Sequence, residues 1–253
     1  MPSAMKKCDP VVMIHGAWAG SWVWDRLTPL LQDAGLTCWA IDLPGNGSDG
    51  VDPVTVRFDD YLESLERVAG PGPVSLIAHS GGGNVASAFA ERWPERVARI
   101  VYVAGIMLPD GLSFVDIVQR AVKTDPTAVG VNPATIYSRD GRISEVPPEA
   151  ARAYFFHDCS AEDALAAGLR LTPQGEGGRE VTMRVTPERF GRIPRLYVEA
   201  LHDKSVTPSV QRLVRELTPG AEVVSLPTGH APQYSAPDLL ARAILPFLTR
   251  GRS

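Results

Sequence analysis

Short apolar runs alternate with amphipathic stretches along the first hundred residues. Val11–Ile14, Thr37–Ile41, Val74–Ala78 and Arg99–Ala104 are compact runs rich in β-branched side chains. Runs without a polar face suit strands covered on both sides, as in a parallel sheet. Between them, apolar residues recur at helical spacing. Leu27, Leu30, Leu31 and Ala34 fall at i, i+3, i+4 and i+7, with Gly35 as a stop. Tyr61, Leu62, Leu65 and Val68 make a second apolar face. Pro29 leaves the start of the first helix open, because proline removes a backbone N–H.

The rhythm breaks after Gly105. From Leu108 to about Arg192 prolines and glycines recur and no strand pattern emerges. Gln174–Gly178 reads as a glycine-rich turn or mobile loop. Ala150–Phe156 and Ala161–Leu169 carry helical spacing, so the stretch is not a structureless insert. Alternation then resumes. A strand is expected at Arg195–Leu201, a helix at Ser209–Leu217, a strand at Glu222–Leu226 and a helix at Pro237–Leu248, the last with Ser235 as N-cap. The pattern predicts an α/β fold: a mostly parallel, doubly wound sheet with an inserted helical cap. The core is expected over 1–107 and 193–253 and the cap over 108–192. No internal repeat is present.

Length and composition narrow the picture. A chain of 253 residues suits one large α/β domain, and 44% hydrophobic with 21% charged residues is an ordinary globular balance. The net charge of -4 and the lack of a Lys/Arg block argue against a nucleic-acid binder. Three cysteines, Cys8, Cys38 and Cys159, make neither a disulfide framework nor a zinc-ligand spacing. No signal core or membrane-length apolar run appears, so no membrane association is expected, and the expected location is the cytoplasm. The oligomeric state is not fixed by any of this, and a homodimer stays open.

The strongest chemical signal is Ala78-His79-Ser80-Gly81-Gly82. It follows an apolar strand and opens the helix-like stretch Gly83–Trp93, the strand–turn–helix setting of a nucleophile elbow. Such a turn needs small neighbours two residues from the serine. Gly82 meets that need, and Ala78 adds a single methyl where glycine is usual. A serine hydroxyl is a weak nucleophile until a base takes its proton. Of His15, His79, His157, His202 and His230, the last sits in Thr228-Gly229-His230, after the final expected strand. Loops that follow parallel strands share one sheet edge, which makes His230 the candidate base. Asp203 directly follows the strand 195–201 and is the candidate acid that orients the imidazole. Asp42 also ends a strand but precedes the serine, and a structural role is expected for it.

These residues carry a resemblance. Val12–Trp24 reads VMIHGAWAGSWVW, followed by Leu27, Pro29 and Leu30, then Ile41-Asp42-Leu43-Pro44-Gly45, the elbow, Asp203 and Thr228-Gly229-His230. The chain resembles the plant methylesterase and hydroxynitrile lyase branch of the α/β-hydrolase superfamily, together with its bacterial esterase-like relatives. The resemblance spans nearly the whole chain and is weakest in the cap. It implies the order Ser80, Asp203, His230 for a triad and an oxyanion hole from the backbone N–H groups of Ala17 and Gly81. The lyases resembled place threonine where Gly16 stands and lysine where Ala231 stands, and neither residue here has a side chain for that work. That favours hydrolysis.

The expected activity is therefore a serine carboxylesterase acting on a small, moderately hydrophobic ester or lactone through an acyl-enzyme on Ser80, with no cofactor or metal. The candidate substrate contacts are Gly16, Trp18, Tyr154, His157 and Ala231. Two other readings stay open: a lyase, C–C hydrolase or cyclase of natural-product metabolism using the same triad, and a small-molecule receptor without turnover. Gly45–Gly50 matches G-x-G-x-x-G, but no helical pattern follows to hold a pyrophosphate, so no dinucleotide site is expected.

Overall fold

In the computed structural model, which describes residues 8–251, the apolar runs pair with one another; residues 1–7 and 252–253 of the expected core lie outside the described residues. They form β1 (Val11–Ile14), β2 (Cys38–Ile41), β3 (Val74–His79) and β4 (Val97–Val103). Three short strands follow, β5 (Ile136–Tyr137), β6 (Ile143–Glu145) and β7 (Gln174–Gly175), then β8 (Arg195–Ala200) and β9 (Ala221–Leu226). The main sheet has the order β2-β1-β3-β4-β8-β9, and every neighbouring pair is parallel. All six strands therefore deliver their C-terminal loops to one edge.

Period-2 alternation explains the two-sided burial. Val11 and Met13 pack on one face with α1 (Thr28–Asp33) and the C-terminal helix. Val12 and Ile14 pack on the other with α2 (Phe58–Ala69) and α3 (Gly82–Arg92). Pro29 lies in the first turn of α1, where its missing N–H removes no helical hydrogen bond.

The sheet is interrupted between β4 and β8. This segment carries α4 (Phe114–Ala121), α5 (Pro148–Tyr154), α6 (Ala161–Gly168) and α7 (Glu176–Arg179). It also forms a three-stranded antiparallel sheet, β5-β6-β7, which the broken hydrophobic rhythm did not announce. Gln174–Gly178 is not a loose loop: it is β7 and most of α7, and Gln174, Glu176 and Gly178 are buried. Its glycines answer close approach. A β-carbon on Gly177 would lie 2.6 Å from the Val56 carbonyl oxygen, and one on Gly178 2.5 Å from the Tyr61 hydroxyl.

After β8 come α8 (Pro208–Leu217), α9 (Pro232–Ser235) and α10 (Pro237–Leu248). Ala236, not Ser235, is the N-cap of α10. Ser235 ends α9 and its hydroxyl donates to Asp158 instead. Among the described residues no helix is long and apolar enough to cross a membrane.

Candidate active site

The site begins with a turn that only a strained residue can make. Ser80 joins β3 to α3 with φ +49°, in the left-handed region that non-glycine residues rarely occupy. The turn is over-determined by its surroundings. Ser80 N–H donates to the Val103 carbonyl (3.2 Å), and Ile106 N–H donates to the Ser80 carbonyl (2.8 Å). Gly82 is obligatory, because a β-carbon there would lie 2.5 Å from the His15 carbonyl oxygen. Such strain persists at sites where packing fixes it.

His230 and Asp203 come together beside this turn. His230 Nδ1–H donates to Asp203 Oδ2 at 2.7 Å, and both side chains are buried. That bond fixes the tautomer and leaves Nε2 as the unprotonated nitrogen. Asp203 is itself held. Its Oδ1 accepts from the N–H groups of Ser205 (2.7 Å) and Val206 (3.0 Å), and its Oδ2 also accepts from Gln211 Nε2–H (3.3 Å).

The imidazole of His230 is packed on two sides. The Phe155 ring lies 5.4 Å away between centroids, and the His79 ring 4.6 Å away. The Nε2–H of His79 donates to the His230 carbonyl at 2.9 Å, tying the two loops. Burial, reinforced by the nearby His230, holds His79 well below its ordinary pKa, so it is neutral. His15 is neutral for the same first reason, burial. Its Nδ1–H donates to the Gly16 carbonyl and its Nε2 accepts from Leu43 N–H, which pins the loop after β1 to the loop after β2. Asp42 has the structural role expected: it accepts from Ser21 N–H and from Ser48.

Two backbone donors lie beside the serine turn. Among the described residues neither Ala17 N–H nor Gly81 N–H has a partner within the protein. The two stretches are adjacent, since a β-carbon on Gly81 would lie 3.6 Å from the Ala17 nitrogen. Trp18, the next residue, has φ +61°. Five contacts hold it: N–H to Gln174 Oε1 (3.2 Å), Nε1–H to Ser144 Oγ (3.0 Å), its carbonyl to Thr172 N–H (2.8 Å), the stacked Phe155 ring, and the Arg179 guanidinium over its own ring.

Ser80 stands on the wall between two unequal spaces. One is a cavity of about 510 Å³ lined by Ser80, Gly81, Ala17 and Trp18, and by apolar groups such as Leu43, Val85, Ile106 and Val206. The other is a void of about 20 Å³ lined by Ser80, His230, Ala231, Phe155 and Phe156. Gly16 and Trp18 line both, and Ala231 lines the small one. Tyr154 and His157 line neither. The cap presents Phe155 and Phe156 there, because the chain leaves α5 at Tyr154 and the two phenylalanines that follow turn inward. The sequence pattern Tyr154–His157 marked the segment but not which members faced the site.

The family described as "Alpha/beta hydrolase family" matches residues 11–243. The chain is 30% identical to a pyrethroid hydrolase of Sphingobium wenxiniae over 94% of its length and 86% of that protein. It is also 30% identical to methylesterase 18 of Arabidopsis thaliana, covering 92% of this chain and 95% of that one. Among solved structures, a pyrethroid hydrolase from Sphingobium faniae superposes with a TM-score of 0.82 at 28% identity, covering 95% of this chain and 97% of the other.

Proposed function

This chain belongs to the alpha/beta hydrolase family and is an enzyme of the serine-hydrolase type; from that premise we propose that it is a carboxylesterase releasing a small alcohol, methanol or one close to it in size, from esters with a large acyl part. In this reading Ser80 Oγ attacks the ester carbonyl while His230 Nε2 takes its proton. The carbonyl oxygen becomes an oxyanion and accepts from Ala17 and Gly81 N–H; a fixed donor of this kind is worth about 2.7–4 kcal/mol. Asp203 stabilises the imidazolium. His230 then returns the proton to the leaving alkoxide, which departs as the alcohol. Water, deprotonated by His230, attacks the acyl-enzyme; the acid leaves as His230 returns that proton to Ser80 Oγ.

The size of each part of the ester is supported by one observation, the inequality of the two spaces at Ser80. A leaving alkoxide must reach His230 Nε2, and the void that His230 lines measures about 20 Å³. That is room for one water-sized or methyl-sized group, since one probe sphere takes about 10–15 Å³. The 510 Å³ cavity is left for the acyl part. A lyase reading has less support, because Gly16 and Ala231 bring no polar side chain to the wall they share with Ser80 and His230.

The test is a series of esters of one hydrophobic acid with methyl, isopropyl and benzyl alcohols. At least a tenfold fall in kcat/KM from methyl to benzyl is expected. Equal or better turnover of the benzyl ester would overturn the small-alcohol assignment. A fluorophosphonate adduct that forms on the wild type and is absent from Ser80→Ala, read by intact mass, checks the nucleophile separately.

A further inference from the structure

The wall of the large cavity holds two buried amides with unmet hydrogen-bonding capacity. Asn84 is 5% exposed and lies in the first turn of α3, four residues after Ser80. Its Oδ1 has no hydrogen-bond partner, and no hydrogen bond of its amide group occurs among the described residues. Asn46 is 2% exposed, in the loop after β2. Its Oδ1 receives the Tyr61 hydroxyl at 3.4 Å, and Tyr61 in turn accepts from Gln174 Nε2–H at 2.9 Å. Its Nδ2 has no partner. Both residues line the cavity that Ser80 opens into. Buried polar groups are overwhelmingly paired, and an unpaired one costs about 1–3 kcal/mol. Two in one cavity wall point to a partner that arrives from outside the protein.

We infer that this cavity recognises a neutral hydrogen-bonding group, a hydroxyl or a carbonyl, carried on the acyl part of the ester, with Asn84 and Asn46 as the residues that read it. The inference rests on the esterase reading for the word acyl, and on the cavity alone for the polar group. A charged group is not called for. Among the described residues the one ion pair lining the cavity, Arg179 with Glu176, is already closed on itself at 2.8 Å, Glu176 also accepts the Ser144 hydroxyl, and the remaining carboxylate of the lining, Glu180, is exposed. Ser80 and Asn84 line the same cavity, so a group that meets Asn84 belongs to the molecule whose carbonyl Ser80 attacks.

An amide-lined cavity and a purely apolar one make opposite predictions. In an apolar cavity an added hydroxyl loses its water without replacement and weakens binding at every position. Here one position should gain. The experiment takes Ser80→Ala protein, which binds without turnover, and titrates it calorimetrically with methyl octanoate and its monohydroxylated forms from carbon 3 to carbon 7. At least tenfold tighter binding is expected for one positional isomer. The Ser80→Ala/Asn84→Leu protein should lose that preference, and Asn46→Leu in the same background should reduce it. Weaker binding of every hydroxylated ester overturns the inference, as does a preference that survives both asparagine changes. The ranking on Ser80→Ala alone decides the matter should either leucine variant fail to fold. Hydrolysis of the same esters by the wild type is scored separately: binding with the expected preference but no hydrolysis would remove the esterase reading and leave the polar subsite standing.

Discussion

At the scale of single residues, the site depends on atoms that are missing. Gly16 lies where the loop after β1 passes the nucleophile. A β-carbon on it would sit 2.7 Å from Ser80 Cβ and 3.3 Å from the His79 carbonyl oxygen. Neither neighbour can yield cheaply: Ser80 is already at φ +49°, and the carbonyl is backbone. Gly16→Ala is therefore expected to displace Ser80 or Ala17 from the reacting geometry. A misplacement near 1 Å costs about a hundredfold, so kcat/KM should fall by about 10- to 100-fold while circular dichroism stays native. Activity within twofold of wild type would show that the wall yields without moving the serine. That Ser80, Asp203 and His230 stand at one sheet edge was readable in sequence, because each lies in the loop that follows a strand of a parallel sheet. The second role of the elbow, His79 clamped to the His230 carbonyl, was not readable. It depends on which way a side chain leaves a strained turn, and sequence spacing carries no signal for that. Asn84 was hidden for a related reason: one polar residue on a short helix is unremarkable until the space beside it is known.

Elements show a further coupling, between cap and core. Asp158, in the connection from α5 to α6, accepts Gly229 N–H at 2.6 Å and the Ser235 hydroxyl at 2.8 Å. Gly229 directly precedes His230, so a cap residue holds the loop that carries the base. The same connection follows Phe155, which packs on the His230 ring. Hydrogen bonds to a carboxylate are stronger than neutral ones, about 1.5–3 kcal/mol. Losing this latch should loosen the orientation of His230 more than it weakens substrate binding. Asp158→Ala is thus expected to lower kcat about tenfold with KM nearly unchanged, and Asp158→Asn, which keeps an acceptor, to recover most of it. If KM rose and kcat held, the latch would belong to substrate binding instead. The strands of the core were legible as short runs rich in apolar and β-branched residues, and α5 and α6 from their spacing. The antiparallel β5-β6-β7 sheet and the Asp158 latch were not. The strands are two or three residues long, too short for a period, and the latch joins positions 71 residues apart.

On the scale of the whole molecule, the site is assembled by burying histidines in their neutral form, and that sets a pH limit on stability. His15, His79 and His157 all lie below their ordinary pKa of 6.5, each chiefly through burial. His79 is lowered further by the facing His230, and His157 by Lys204. In the unfolded chain these rings take up a proton as pH falls through 6.5, whereas in the folded chain they resist it. The unfolded state then binds more protons, so stability falls with pH below 6.5 until the lower folded values are reached. Above 6.5 both states are neutral and the effect vanishes. Asp42 acts in a separate window. Burial raises its pKa, but hydrogen bonds from Ser21 and Ser48 win and leave it below 3.8, so its contribution is lost only in stronger acid. Tm is therefore expected to decline from pH 7 to pH 5, before carboxylate titration begins. His79→Gln keeps an N–H donor within reach of the His230 carbonyl but removes the titrating ring, and its Tm should depend less steeply on pH over that interval. A slope identical to wild type would mean that His79 does not carry the acid sensitivity, and that the loops joined at the nucleophile are held by packing and not by a neutral imidazole.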